Sequence, residues 1–147
     1  MEANTVAQQQ TLRPRSASLT IRGFDQLPEE VASLVGIAAT SSGLIGTPAK
    51  SGAALLKRSY VLFRVELPPD TPLFHMVPAI LEHMGGADHL AHVLSQVAPE
   101  HVDIDLVLPV KDLPEQEGGF ISPTSIAELH RLGTTISFSF LNRVAEA

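Results

Sequence analysis

The chain alternates between stretches of period two and stretches of helical spacing. Ala17, Leu19 and Ile21 alternate with Ser18, Thr20 and Arg22, and Gly23 follows. Side chains of a strand point alternately to its two faces, so this is a strand with one apolar side. Pro28 then opens a short helix, with Glu29 and Glu30 in the first turn where the helix dipole favours anions. Leu27, Val31, Leu34 and Val35 form its apolar stripe, and Gly36 ends it. Tyr60 to Leu67 is a second strand: Val61, Phe63, Val65 and Leu67 on one face, Tyr60, Leu62, Arg64 and Glu66 on the other.

Residues 72–98 read as a helical hairpin. Phe74, Val77, Leu81 and Met84 line its first arm, Gly85-Gly86 makes the turn, and Leu90, Val93, Leu94 and Val97 line the second. Pro78 has no N–H to give, so it belongs in the first turn or kinks the helix. A third strand runs from Val102 to Val110, with Val102, Ile104, Leu106 and Leu108 set against Asp103, Asp105 and Val107. The last unit has the clearest local signals. Ser122-Pro123 is a capped helix start; Ile126, Leu129 and Leu132 fall at helical spacing; Gly133 is a stop. Ile136, Phe138 and Phe140 then alternate with Thr135, Ser137 and Ser139.

With the hairpin set aside, the order is βαβ–βαβ, the ferredoxin-like pattern. The expected fold is α+β: a four-stranded, mostly antiparallel sheet with helices on one face and an inserted helical hairpin. Phe63, Val65, Ile104, Leu106, Ile136 and Phe138 are its expected core. Residues 1–15 read as a flexible polar tail and 16–147 as a single domain. Residues 37–58, rich in Gly, Ser and Thr and carrying Lys50, Lys57 and Arg58, read as an irregular loop. A loop of that length in a small domain often has a function of its own.

Composition narrows the function classes. Hydrophobic residues make up 44% of 147, which supports a packed core. No apolar run is long enough to cross a bilayer, and the opening MEANTVAQQQT lacks a basic-then-apolar signal pattern. The expectation is a cytoplasmic protein without membrane partners. With no cysteine, disulfides and thiolate chemistry are excluded. The net charge is −6, unevenly spread. Residues 1–64 hold seven Lys/Arg and four Asp/Glu, a net of +3, whereas residues 65–147 hold three and twelve, a net of −9. An acidic half argues against nucleic acid as a partner, because binding it needs a basic footprint.

Candidate chemistry is sparse. His83, His89 and His92 surround the Gly85-Gly86 turn, and His89 and His92 share a helix face, so they are the alternative metal ligands. No HExxH or GxSxG motif accompanies them, and Ser122 is better explained as a cap than as a nucleophile. Asp103 and Asp105 point the same way from one strand, as solvated carboxylates do. Neither a metal nor another cofactor is called for. What stands out is the face of the sheet turned away from the helices. Arg22, Tyr60, Leu62, Arg64, Glu66, Asp103 and Asp105 project from it, and its aliphatic residues exceed what a purely solvated face needs.

Residues 17–142 resemble the DUF4279 family of small bacterial domains. The resemblance lies in the opening Leu19-x-Ile21-x-Gly23, the acidic-Pro helix ending in Gly36, and a Thr/Gly loop. The closing unit of Gly118, Gly119, Phe120, Ser122, Leu129, Leu132, Gly133 and Phe138 completes it. Two positions depart from it: Ala39 stands where the family tends to have Pro before Thr40, and Tyr60 stands where it tends to have Trp. The family brings no catalytic residues. The expected function is therefore a non-enzymatic binding domain, acting on a protein partner or a second copy through the open sheet face or the 37–58 loop. The alternatives are a small enzyme or metal-binding protein using the histidine turn, and an immunity-type protein that neutralises a toxin.

Overall fold

The computed structural model describes residues 14–50, 52, 54–109 and 118–141. Its elements run β1 (Arg15–Arg22), α1 (Pro28–Val35), β2 (Ser41–Gly43), β3 (Tyr60–Leu67), α2 (Leu73–His83), α3 (Ala87–Val97), β4 (His101–Pro109), α4 (Pro123–Leu132) and β5 (Thr135–Leu141). The fold is α+β, with an open mixed sheet in the order β2-β3-β1-β4-β5. The flexible-tail expectation for residues 1–13 and the expected end of the third strand at Val110 lie outside the described residues. Arg15, placed in that tail by sequence, is instead the first residue of β1, is buried, and donates from Nε to the carbonyl of Pro69 at 3.0 Å.

The sheet differs from the expected one in count and order. A fifth strand, β2, lies within the segment read as a loop and pairs antiparallel with β3. β1 pairs antiparallel with both β3 and β4, while β4 and β5 run parallel. A ferredoxin-like sheet interleaves its two βαβ units, so that strands joined through a helix are kept apart by a strand of the other unit. Here β1 pairs directly with β3, and β4 directly with β5. The α4 segment gives β4–β5 the long crossover that adjacent parallel strands require. One split arrangement does exist: β3 and β4 run in the same direction with β1 between them, joined through α2 and α3.

The core lies between one sheet face and the helices. Ala17, Leu19, Ile21, Val61, Phe63, Ile104 and Leu106 are fully enclosed, together with Met76, Ile80, Met84 and Leu90. Val65 and Ile136 are half-buried against this cluster. Phe138 is a correction: it is 44% exposed, and Phe140 is 66% exposed. β5 is the edge strand, and α4 buries Ser125, Leu129 and Leu132 while Ile126 faces outward. The stripes of α1 and α2 are trimmed at their ends in the same way, with Leu27, Leu34 and Phe74 exposed.

Local signals behave as their chemistry dictates. The Ser122 hydroxyl accepts from the Ser125 N–H at 3.1 Å, and Gly36 and Gly133 close their helices at φ 95° and 64°. Pro78 lies inside α2 rather than in its first turn, so the Phe74 carbonyl loses its i+4 donor.

Candidate functional site

The opposite face of the sheet carries the polar half of each strand. Reading across in register, one row is Gly43, Tyr60, Arg22 and His101, and the next is Ser41, Leu62, Thr20, Asp103 and Thr135. A third row is Arg64, Ser18, Asp105 and Ser137, and a fourth is Glu66, Ser16, Val107 and Ser139. Neighbours in a row stand close enough for their side chains to touch. Ser18 and Thr20, short and on the central strand, are buried beneath these longer flanking side chains.

The two aspartates act separately. Asp103 lies 3.5 Å from Nε of Arg22. Asp105 accepts from Ser137 Oγ at 2.9 Å and from Ser139 Oγ at 3.0 Å. They are therefore structural acceptors on β4, each with its own partner, and not a shared acid–base pair. Arg64, Glu66 and Asp105 sit farther along the face from the first row.

The described residues of the 37–58 segment make more backbone hydrogen bonds than its composition suggests. Thr40 donates from its N–H to the Leu62 carbonyl at 2.8 Å, and the Arg64 N–H donates to Thr40 Oγ1 at 3.0 Å. The chain then doubles back. Gly46 N–H bonds to Leu56 O at 2.9 Å, Leu56 N–H to Thr47 O at 2.8 Å, and Ala49 N–H to Ala54 O at 2.9 Å. Ile45 N–H donates to the buried Ser59 hydroxyl at 2.9 Å. This hairpin-like arm delivers Leu56, Lys57 and Arg58 to the edge of the open face.

Gly23 fixes the position of that edge. Its N–H donates to Ser59 O at 2.9 Å, and its carbonyl accepts from Glu100 N–H at 3.0 Å. Its φ of 76° is left-handed, and a Cβ there would stand 2.8 Å from the Glu100 side chain. One glycine thus ties together the end of β1, the approach to β3 and the approach to β4. Arg58 closes the same corner, donating from Nε to Glu100 Oε2 at 2.6 Å. That hydrogen bond, reinforced by the guanidinium charge, holds the Glu100 carboxyl below its usual range.

The result is a cavity of about 330 Å³ lined by Thr20, Arg22, Leu56, Lys57, Arg58, Tyr60, Leu62 and His101. Tyr60 is held at its rim: its hydroxyl lies 3.1 Å from Ser41 Oγ, which also accepts from Lys50 Nζ at 3.0 Å. Of the residues singled out by sequence, Arg22, Tyr60 and Leu62 of the open face and Lys57 and Arg58 of the 37–58 segment line this cavity. Leu56 and His101 were missed. The signal for His101 was parity: it is two residues before Asp103, so a strand begun one residue earlier puts it on the same face. Leu56 had no signal, because only the fold of the arm brings it here.

His89 Nε2 lies 2.8 Å from the Val35 carbonyl, and His92 Nε2 lies 3.2 Å from the Gln96 amide. Among the described residues, no group of three His, Asp or Glu side chains could hold a metal ion. No described helix is long and apolar enough to cross a membrane. Comparison of the chain with family models, curated proteins and solved structures finds no match to any of them.

Proposed function

We propose that the chain is a binding domain, not a catalyst, and that it recognises a protein partner or a second copy through its open sheet face, centred on the corner cavity. The observation that carries this reading is the cavity itself. The two regions expected to act from sequence, the open face and the 37–58 segment, converge on one concave site between Tyr60, Leu62 and the Leu56–Arg58 stretch. Concave sites of roughly 300 Å³ and above are where proteins preferentially hold ligands. The surrounding surface mixes Arg64 and Glu66 with Leu62 and Val107, which suits a contact that is apolar at its centre and charged at its rim. Support for a non-catalytic role comes from the carboxylates, whose partners are structural. The sequence resemblance to the DUF4279 family, which no family model supports, lies in structural residues and adds no catalytic group to this reading.

Leu62→Arg tests the reading. Leu62 points away from the core, so the fold should survive, with circular dichroism and thermal unfolding close to wild type. The added charge should abolish self-association in light scattering, or recovery of the wild-type partner in a pull-down. Unchanged assembly and unchanged recovery would remove this face as the contact.

A further inference from the structure

We propose that the corner cavity takes a small organic anion: a carboxylate or phosphate group carried on a compact apolar body. This rests on the corner being a binding site and goes beyond the protein contact proposed for the open face by adding a small-molecule ligand in the cavity.

The charge around the cavity is locally the reverse of the chain's. The protein as a whole carries −6, yet Arg22, Lys57 and Arg58 meet within one corner. Two acids stand beside them, and they are not equal in effect. Glu100 is engaged with Arg58 through one carboxylate oxygen, at 2.6 Å. Asp103 reaches Arg22 only at 3.5 Å, well beyond the roughly 2.7–2.9 Å of a strong charge-assisted hydrogen bond. Arg22 therefore retains its donors for a better acceptor. Lys57 makes no hydrogen bond or ion pair among the described residues. Two cations with donors available thus face one cavity, and His101 adds a ring nitrogen beside Arg22 in the same cross-strand row.

The rest of the lining is apolar. Leu56 and Leu62 contribute side chains, and Tyr60 contributes its ring, since its hydroxyl is turned to Ser41. A cation pair alone would favour any anion, including chloride. A cation pair beside an apolar wall favours an anion that carries hydrocarbon, because burying that hydrocarbon adds to the charge attraction. About 330 Å³ accommodates a ring of six carbons and its acid group, at the small end of ligand sites.

Tyr60 also supplies the readout. It is the chain's single tyrosine, and there is no tryptophan, so intrinsic fluorescence reports on the cavity wall alone. The purified chain is titrated with cyclohexanecarboxylate, cyclohexyl phosphate, neutral cyclohexanecarboxamide and cationic cyclohexylmethylamine, all transparent where tyrosine absorbs. The expected result is saturable binding of one or both anions, at least about tenfold tighter than the carboxamide, as one charged hydrogen bond supplies. Whichever anion binds more tightly identifies the acid group. Lys57→Met, an exposed substitution, should weaken the anions about tenfold and leave the carboxamide unchanged. Added salt should weaken only the anions. Carboxamide binding as tight as carboxylate, or anion binding indifferent to Lys57→Met, would overturn the anion assignment while leaving the site. No fluorescence change with any probe would overturn the cavity as a small-molecule site, whereas the protein contact of the open face stands or falls with Leu62→Arg.

Discussion

Gly43 and Leu56 approach so closely that there is no room for a side chain on the glycine. A Cβ at position 43 would lie 2.5 Å from Leu56 Cδ1 and 2.6 Å from Tyr60 Cε1. Gly43 pairs directly with Tyr60 across β2 and β3, so the missing side chain is what lets Leu56 and the Tyr60 ring lean together as one wall of the cavity. Gly43→Ala should therefore leave the core intact and push Leu56 and Tyr60 apart. The expected outcome is near-wild-type thermal unfolding with altered Tyr60 fluorescence and weakened probe binding. Unaltered fluorescence would show that the wall does not depend on this contact.

Phe63 and Phe138 occupy equivalent apolar positions by alternation, but only Phe63 is enclosed, at 0% exposure against 44%. Phe63→Ala should cost about 3–5 kcal/mol, the usual range for a buried phenylalanine. Phe138→Ala should cost about half of that or less, in proportion to the area it keeps from water. Urea unfolding of the two variants checks the ranking, and equal losses would contradict the edge position of β5.

The helix cap gives a third expectation. Ser122 Oγ satisfies the Ser125 N–H, and Ser125 is buried, so water is a poor substitute there. Ser122→Ala should destabilise the protein by about 1 kcal/mol, while Ser122→Asp should retain most of the stability. Denaturant midpoints for the three proteins decide this.

The Arg58–Glu100 pair has a pH signature. Hydrogen bonding from Arg58, and then its charge, lower the Glu100 pKa in the folded state. A depressed carboxylate pKa contributes stability above the unfolded-state value, and that contribution is lost as pH falls through the folded-state value. The pair is exposed, so the effect on stability is small and screened by salt. The Glu100 side-chain carbon resonances should titrate below the usual glutamate range, and Arg58→Met should return them towards it. An unshifted titration in the wild type would mean the pair does not persist in solution.

Much of the architecture was legible because it is set locally. Period-two alternation located β3 to the residue, and Ser122-Pro123 and Gly133 fixed both ends of α4. β2 escaped notice because Ser41, Ser42 and Gly43 carry no strand preference, and pairing with β3 alone makes them a strand. The edge position of β5 was also invisible, since Ile136, Phe138 and Phe140 alternate as cleanly as a buried strand does.

By itself the sequence determined which side chains share a face. That follows from backbone geometry, two residues per repeat in a strand and 3.6 in a helix. It therefore fixed the open face and placed Arg22, Tyr60 and Leu62 on it. Tertiary structure alone decided which strand lies beside which, and so which residues of that face meet. Strand order depends on how the crossovers pack, and the same alternation is compatible with several orders. The cavity belongs to this second kind of information. His101 and Tyr60 are 41 positions apart, and they flank Arg22 only because β1 lies between β3 and β4. Leu56 and Lys57 join them because Gly23 and Ser59 hold the end of the arm against the end of β1.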